Sequence, residues 1–188
     1  MSDLFVDNIK HQSSQGSGTI TLGASGETVA LASGASQTMA VNTPAFEATR
    51  SSNQTITHDT DTKIACNVET FDTAGNYDNA TNYRFTPQTA GKYYIYAEAT
   101  AQASAIQQLR RYTLSIRKNG SSYKYMSNYF TNNEAFINTI FVGSVIDFNG
   151  SSDYVELWCK IEYANSGTTL QINGAGIELT FGGYKIIE

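Results

Sequence analysis

The most regular hydrophobic pattern in the chain follows a turn at residues 87–91. Pro87 fixes its own φ there, and Gly91 can adopt the positive φ that a tight turn often needs. The next residues alternate in two sets, Tyr93, Ile95, Ala97 and Ala99 in one and Tyr94, Tyr96 and Glu98 in the other. Because successive side chains of a strand point to opposite faces, the first set is predicted to face a core. The aromatic-rich alternation predicts a half-buried strand of a β-sandwich.

Similar short patterns recur from Pro44 onward. The predicted strands lie around residues 45–48, 63–71, 83–86, 92–100, 109–118, 121–130, 136–142, 153–163, 168–173 and 175–182. The Asn–Gly pair at 119–120 is typical of a hairpin turn. Residues 100–111 lack a sustained helical period, so we predict strand and loop there. With no alternation of strands and helices, residues 44–188 are predicted to form an all-β antiparallel sandwich or jelly roll.

Residues 1–43 differ and are predicted to form a separate, extended β-rich N-terminal arm. A short apolar patch near its start precedes a Gly/Ser/Gln linker and is predicted to be an attachment tip: Leu4, Phe5, Val6 and Ile9. A weak repeat follows, with short alternating strands that cannot bury a core alone. Several copies of the chain wound together would place four residues against a shared axis: Ile20, Leu22, Val29 and Leu31. The alternative is a disordered low-complexity leader.

Composition limits the partners. The 188 residues include 12 Lys or Arg and 17 Asp or Glu, a formal net charge of −5, which argues against nucleic acid or anionic membranes. The first ten residues lack the basic start and apolar run of a secretory signal, and no run approaches the roughly 20 apolar residues of a membrane span. We therefore expect no membrane insertion and production in a cytoplasm.

Two cysteines lie in strand patterns. Cys66 shares parity with Ile64 and Val68, and Cys159 shares parity with the aliphatic residues around it, so both thiols should face the core. Two free thiols are favoured for a protein made in a reducing compartment. A disulfide across the sandwich is the alternative.

Five sequence segments of the sandwich region resemble a known family. PAFEA at 44–48, the run KIACNVETFDTAGNYDNATNYRFTPQTAGKYYIYAEA at 63–99, YTLSIRKNG at 112–120, GSVIDFNGSSDYVELWCKI at 143–161 and GAGIELTFG at 174–182 together resemble the globular head of the C1q/TNF-like family. The resemblance implies a ten-stranded jelly roll that forms a tight homotrimer. It also implies a subunit interface that includes Tyr94, Tyr96, Ile177, Leu179 and Phe181. Residues 177–183 depart from the Ser-x-Phe-x-Gly strand usual in the family, and residues 1–188 contain no collagen-like Gly-X-Y repeat.

The N-terminal arm resembles a different group. VDNIKHQ and GTITLGASGETVALASGAS are similar to the openings of many tailed-phage structural proteins. The combination implies a non-enzymatic virion protein whose arm binds other virion proteins and whose head projects outward to bind a host surface glycan or protein, as in a tail-fibre adhesin. A capsid decoration protein is the alternative, and a glycan depolymerase is a third hypothesis. A secreted signalling ligand is disfavoured by the expected lack of a signal peptide.

Candidate chemistry is sparse. His58 lies in THDTD without a nucleophile or zinc motif, so we predict no enzymatic activity and no cofactor. Oxygen-rich side chains around Gly75 are candidate calcium ligands, namely Asp72, Asn76 and Asp78, and solvated turn residues are the alternative. Alternating tyrosines with nearby asparagine suit adaptable polar recognition: Tyr123, Tyr125, Tyr129 and Asn132. Packing of this tyrosine face between subunits is equally consistent with the pattern.

Overall fold

The computed structural model describes residues 42–131, 133–174 and 178–186. Within these ranges the chain forms thirteen β-strands. The strands are β1 Ala45–Thr49, β2 Gln54–Ile56, β3 Thr62–Lys63, β4 Val68–Asp72, β5 Tyr77–Asp78, β6 Arg84–Phe85, β7 Gly91–Ala103, β8 Leu109–Lys118, β9 Ser121–Tyr129, β10 Ile137–Phe148, β11 Val155–Tyr163, β12 Leu170–Ile172 and β13 Leu179–Lys185. No helix long and apolar enough to cross a membrane occurs in the part of the chain described.

The strands form two antiparallel sheets. Sheet A has the order β2-β12-β7-β13-β1-β4, with β10 paired to the other side of β7. Sheet B has the order β5-β6-β11-β8-β9, with β3 also paired to β11. The predicted strand at 92–100 is the centre of sheet A, because β7 pairs with β10 on one side and with β12 and β13 on the other. The all-β prediction is confirmed.

The core lies between the sheets and is centred on stacked aromatic rings. The ring of Phe46 stacks on Phe85 with centroids 4.2 Å apart and meets Phe181 edge-on at 5.1 Å. The predicted inward set of β7 is confirmed, since each of its members is fully buried: Tyr93, Ile95, Ala97 and Ala99. Burial of this apolar surface is the main stabilising contribution of the sandwich.

Both thiols face this core, as predicted. Cys66 and Cys159 are buried and do not pair with each other, so the structure has the two free thiols that the sequence analysis favoured. Burial disfavours the charged thiolate and raises the pKa of the Cys66 thiol to about 12. The pKa of Cys159 is raised for the same reason. Neither thiol has the thiolate character that a reactive cysteine needs.

The hairpin turn predicted at Asn119–Gly120 is observed. Asn119 and Gly120 have φ values of 52° and 80° and join β8 to β9, as a type I′ hairpin requires. The stretch 100–111 contains the end of β7, a loop and the start of β8, which confirms strand and loop.

Several strand bounds differ from the prediction. The segment 63–71 forms two strands, β3 in sheet B and β4 in sheet A, because the chain crosses between the sheets there. β10 continues to Phe148 because it pairs with β7 through Gly143 and Ser144, which interrupt its apolar pattern. The short strands β2 and β5 lack a sequence signal of their own. These two strands and the split of 63–71 account for the difference between ten predicted and thirteen observed strands.

Candidate functional site

The outer face of sheet A carries a cluster of aromatic and apolar side chains. Tyr94 and Tyr96 of β7 point away from the core. Val145 and Tyr184 lie opposite Tyr94 on the neighbouring strands β10 and β13. We call the following set the aromatic face: Tyr94, Tyr96, Phe141, Val145 and Tyr184. The sequence pattern singled out only its first two members, because the alternation within β10 is interrupted by Gly143.

Two glycines leave the space that the tyrosine rings occupy over the neighbouring strands. A Cβ added at Gly182 would lie 2.6 Å from the Tyr96 ring, and one at Gly143 would lie 2.6 Å from the Tyr94 hydroxyl oxygen. The two tyrosine rings stack on each other with centroids 6.0 Å apart. The Tyr96 hydroxyl donates a hydrogen bond of 3.0 Å to the Glu47 carboxylate. Partial burial and this carboxylate raise the pKa of Tyr96 to about 12, so it stays a neutral donor.

The aromatic face is accessible in the single chain. Phe141 is 52 % exposed, Val145 is 46 % exposed and Tyr184 is 38 % exposed. Phe71 of β4 and Ile137 of β10 add further exposed apolar surface on sheet A. Exposed aromatic and aliphatic side chains grouped on one face are typical of protein–protein interaction sites, although the Glu98 carboxylate lies among them, opposite Phe141.

Two residues predicted for the subunit interface lie elsewhere. Leu179 and Phe181 of β13 are buried in the core of their own chain, where Phe181 packs edge-on against Phe46 and Tyr77. The prediction for this pair is therefore corrected: the outward positions of β13 are Thr180, Gly182 and Tyr184. Ile177 lies outside the described residues. The attachment-tip and axis residues of the arm also lie outside them, so those assignments and the domain boundary stay predictions.

The outer face of sheet B is charged, and its charges are paired. Glu156 of β11 accepts hydrogen bonds from Lys63 at 2.6 Å and from the Trp158 indole at 3.0 Å. The guanidinium of Arg117 lies 4.2 Å above the Trp158 ring and binds Asp61 at 2.7 Å. We call the following set the charged face: Asp59, Asp61, Lys63, Arg111, Arg117, Glu156, Trp158, Lys160 and Glu162.

Asp59 connects two strands of this face. Its carboxylate lies 2.7 Å from Lys160 of β11 and 3.1 Å from Arg111 of β8. Hydrogen bonding from Lys160 is the main cause that lowers the pKa of Asp59. The adjacent His58 stacks on Tyr163 at 3.8 Å and accepts the Tyr163 backbone N–H on Nδ1. His58 thus holds a loop against the sheet, which is a structural role.

The predicted recognition tyrosines are exposed on β9, an edge strand. Tyr123 is 48 % exposed, Tyr125 61 % and Tyr129 64 %. A register shift opposite Ile116 separates Tyr123 from the others, and its hydroxyl donates to the Val145 carbonyl of sheet A at 3.3 Å. Asn132 lies outside the described residues. Their role in recognition stays a prediction.

The candidate calcium ligands cap turns of their own chain. The Asp78 carboxylate accepts hydrogen bonds from the backbone N–H groups of Ala80, Thr81 and Asn82 and from the Asn82 side chain. The backbone donors lower the pKa of Asp78 to about 2. The Asp72 carboxylate accepts from the backbone of Ala74 and Tyr77. Among the described residues, no group of three or more His, Cys, Asp or Glu side chains is placed to hold a metal ion.

A polar pocket of about 370 Å³ opens beside these turns. Its lining includes Asn76, Asp78, Asn82, Arg84, Thr86 and Gln88. Asp72 is not part of the lining. Arg84, Thr86 and Gln88 were not predicted as site residues. Nothing in their spacing indicates that the short strand β6 places them at one pocket.

Comparison with known proteins supports the fold alone. No protein-family model matches the chain, and no curated protein matches its sequence. Among solved structures, the globular domain of the zebrafish complement 1qA protein is similar with a TM-score of 0.51 at 17 % identity, over 77 % of this chain and 98 % of that one. The Eiger TNF of S. frugiperda gives a TM-score of 0.53 at 11 % identity, over 77 % and 92 % of the two chains. Murine APRIL gives 0.53 at 8 % identity, over 76 % and 98 %. The described head therefore has the C1q/TNF jelly-roll fold.

Proposed function

We propose that the chain is a non-enzymatic structural protein that assembles as a homotrimer through the aromatic face of its head. The observation that carries the proposal is the single-sided, preorganised cluster around Tyr94 and Tyr96. Its rings lie in space left by glycines of both neighbouring strands, yet Phe141 and Val145 remain about half exposed in one chain. Burying these side chains against other subunits removes apolar surface from water, at about 25 cal/mol per Å².

The resemblance to C1q/TNF-like heads supports three copies as the assembly. Tyr94 and Tyr96 already pack against each other and the neighbouring strands, so ordering them on association costs little conformational entropy. The charged face lies on the opposite side of the sandwich and satisfies its own ion pairs, which favours a solvent-facing position. The trimer would therefore bury sheet A and present sheet B outward.

We propose further that this trimer belongs to a tailed-phage virion. The resemblance of residues 1–43 to the openings of tailed-phage structural proteins supports it. The arm would bind other virion proteins with Leu4, Phe5, Val6 and Ile9, and residues Ile20, Leu22, Val29 and Leu31 would pack around the shared axis. The head would project outward and bind a host surface glycan or protein, as in a tail-fibre adhesin. Partners would not include nucleic acid, and no part would insert into a membrane.

A reconstruction of the virion that carries this chain tests the proposal. Density for the head on the outside of the particle, with residues 1–18 ending in the tail, is the expected result, and a handful of copies per particle fits a fibre. Hundreds of copies on the capsid would instead identify a decoration protein, the second candidate. Absence of the chain from purified particles would contradict both.

A depolymerase is the third candidate and predicts a pair of carboxylates in a crevice. The carboxylates of Asp72 and Asp78 cap turns, and those of Asp59 and Asp61 form ion pairs instead. Incubation of the protein with host polysaccharide is expected to produce no new reducing ends. Their appearance would overturn the non-enzymatic assignment.

A further inference from the structure

The polar pocket is built by the β5–β6 hairpin at one edge of sheet B. Tyr77 of β5 and Phe85 of β6 pair with each other and point into the core. Asp78 and Arg84 pair at the next position and so share the outward side. With a volume of about 370 Å³, the pocket falls within the range of small-ligand sites, roughly 300–1,000 Å³.

Arg84 brings a positive charge with available donors to this pocket. Its guanidinium lies 4.4 Å above the Tyr154 ring, which fixes its plane. Glu156 lies directly opposite Arg84 on β11, but its carboxylate is held by Lys63 and Trp158. Asp78 lies opposite on β5, and its oxygens are filled by four N–H donors. Within the described ranges, Arg84 therefore forms no ion pair, and its N–H fork can receive a ligand.

Neutral polar groups complete the lining. The Asn76 side-chain amide and the Thr86 hydroxyl make no hydrogen bond to other described residues, while both residues line the pocket. The Gln88 amide nitrogen donates to the Thr86 backbone carbonyl at 3.0 Å, so its oxygen remains an acceptor. The site thus offers donors and acceptors in addition to one cation.

The backbone beneath these groups is fixed before any ligand arrives. The Thr86 N–H donates to the Asn76 carbonyl at 2.8 Å, and the Tyr77 hydroxyl donates to the Cys66 carbonyl at 2.9 Å. Asp72 also caps the turn that leads into β5. A preformed site loses less conformational entropy on binding than a flexible one.

We propose that this pocket binds a carboxylate-bearing saccharide residue, with the ligand carboxylate on Arg84 and its ring hydroxyls on Asn76, Thr86 and Gln88. A guanidinium fork matches a carboxylate with two parallel hydrogen bonds. A small free anion would contact Arg84 without the neutral polar groups of the lining. Additional hydrogen bonds from ring hydroxyls supply the rest of the affinity and the specificity.

This inference deepens the host-binding part of the proposed function and rests on it for its biological setting. The pocket itself is made by one chain, so ligand binding is measured independently of trimer mass and virion location. A chain that trimerises without binding the ligand would overturn only the pocket, and a monomer that binds it would overturn only the assembly.

The test is a titration of the full chain with the hexuronates galacturonate and glucuronate, free and as short oligomers, followed by calorimetry and by NMR of side-chain amides. We expect binding to at least one uronate, with shifts confined to the amides of Asn76, Asn82 and Gln88. We expect the parent neutral sugars, acetate and inorganic phosphate to bind at least about tenfold more weakly, because each lacks either the carboxylate or the ring hydroxyls. Equal binding of a neutral sugar or of acetate would overturn the proposed ligand class.

Variants at Arg84 and Arg110 distinguish binding in the pocket from a general effect of net charge. Arg84→Gln is expected to weaken uronate binding at least about tenfold, and Arg84→Lys to weaken it as well, because lysine lacks the planar fork. Arg110→Gln removes the same charge from an exposed position of β8 outside the pocket lining and is expected to bind as the unchanged chain does. Should Arg84→Gln unfold, the amide shifts of the unchanged chain still decide. Shifts elsewhere, no uronate binding, or equal loss in both Gln variants would contradict the proposal.

Discussion

The two outer faces of the sandwich differ in how their side chains meet solvent. Each face presents every second residue of its strands to the outside. On sheet B the charged face pairs its own ions, for example Arg111 with Glu162 at 2.6 Å and Lys63 with Glu156 at 2.6 Å. On sheet A the aromatic face leaves Phe141 and Val145 half exposed, with no element of the described chain to cover them.

The charges of the charged face are satisfied within one chain, whereas the aromatic face keeps apolar side chains in water. A face whose charges are paired within one chain gains nothing by being buried further, because desolvation of its ions would cost more than new contacts return. A preorganised apolar face is stabilised when it leaves water. The same strand geometry therefore yields one surface suited to solvent and one suited to other subunits.

The largest expected effect comes from a charge placed on the aromatic face. Val145→Asp would bury an unpaired carboxylate between subunits, at a cost of about 3–5 kcal/mol for each copy. The trimer should dissociate, while the head keeps its fold because Val145 is 46 % exposed within one chain. Light scattering measures the mass, and circular dichroism checks the fold.

Tyr125→Asp on β9 is the matched control. Tyr125 is 61 % exposed and lies on sheet B, so the trimer should persist. If Tyr125→Asp dissociates the trimer and Val145→Asp does not, the tyrosines of β9 form the interface and the assignment to the aromatic face is wrong.

A smaller effect is expected beneath the same face. Gly182→Ala places a Cβ 2.6 Å from the Tyr96 ring and 3.1 Å from the Phe46 carbonyl oxygen. Overpacking of this kind costs about 1–3 kcal/mol in the free energy of unfolding. Chemical denaturation should show this loss, whereas Thr180→Ala on the same strand should change stability by less than about 0.5 kcal/mol. Equal stability of the two variants would mean that Tyr96 does not rest on Gly182.

The charged face gives a third test. Glu156→Gln removes the carboxylate that binds Lys63 and Trp158, and hydrogen bonds to a charged group are worth about 2 kcal/mol. We expect that loss in urea unfolding, and we expect it to shrink in high salt because the ion pair is partly exposed. The mass should be unchanged. A change of assembly in Glu156→Gln would show that this face also contacts subunits.

The smallest expected effect is a response to acid that the aromatic face does not share. The folded pKa of Asp78, about 2, lies below the ordinary value of 3.8, so its contribution to stability is present above about pH 4 and is lost as the pH falls through 2. Asp78→Asn should therefore be less stable than the unchanged chain at pH 5 but nearly equal at pH 2. Thermal unfolding over this range measures the difference, and a constant gap would contradict the assignment.

The sequence was sufficient for the elements with strong local signals. The alternation at Tyr93–Ala99 predicted the central strand and its core side, and Asn119–Gly120 predicted a hairpin. It failed where tertiary pairing decides: β2 and β5 are too short to show a period, and β10 extends through Gly143 because β7 supports it.

The candidate sites were harder to predict for the same reason. Leu179 and Phe181 were predicted at an interface from a family likeness, yet their parity in β13 places them in the core. The sequence contains no pattern that marks Arg84 as a site residue. Its surroundings depend on Tyr154, Glu156 and Asp78, which come near it only after folding. Sequence patterns report which side a residue takes, and less often which neighbours it meets.

The mass of the full chain in native buffer, measured by light scattering, tests the proposed homotrimer directly. We expect three times the 20.5 kDa mass of one chain, without dissociation in high salt, because the aromatic face is mainly apolar. A monomer at micromolar concentration would contradict the proposed trimer, since it would leave the aromatic face in water.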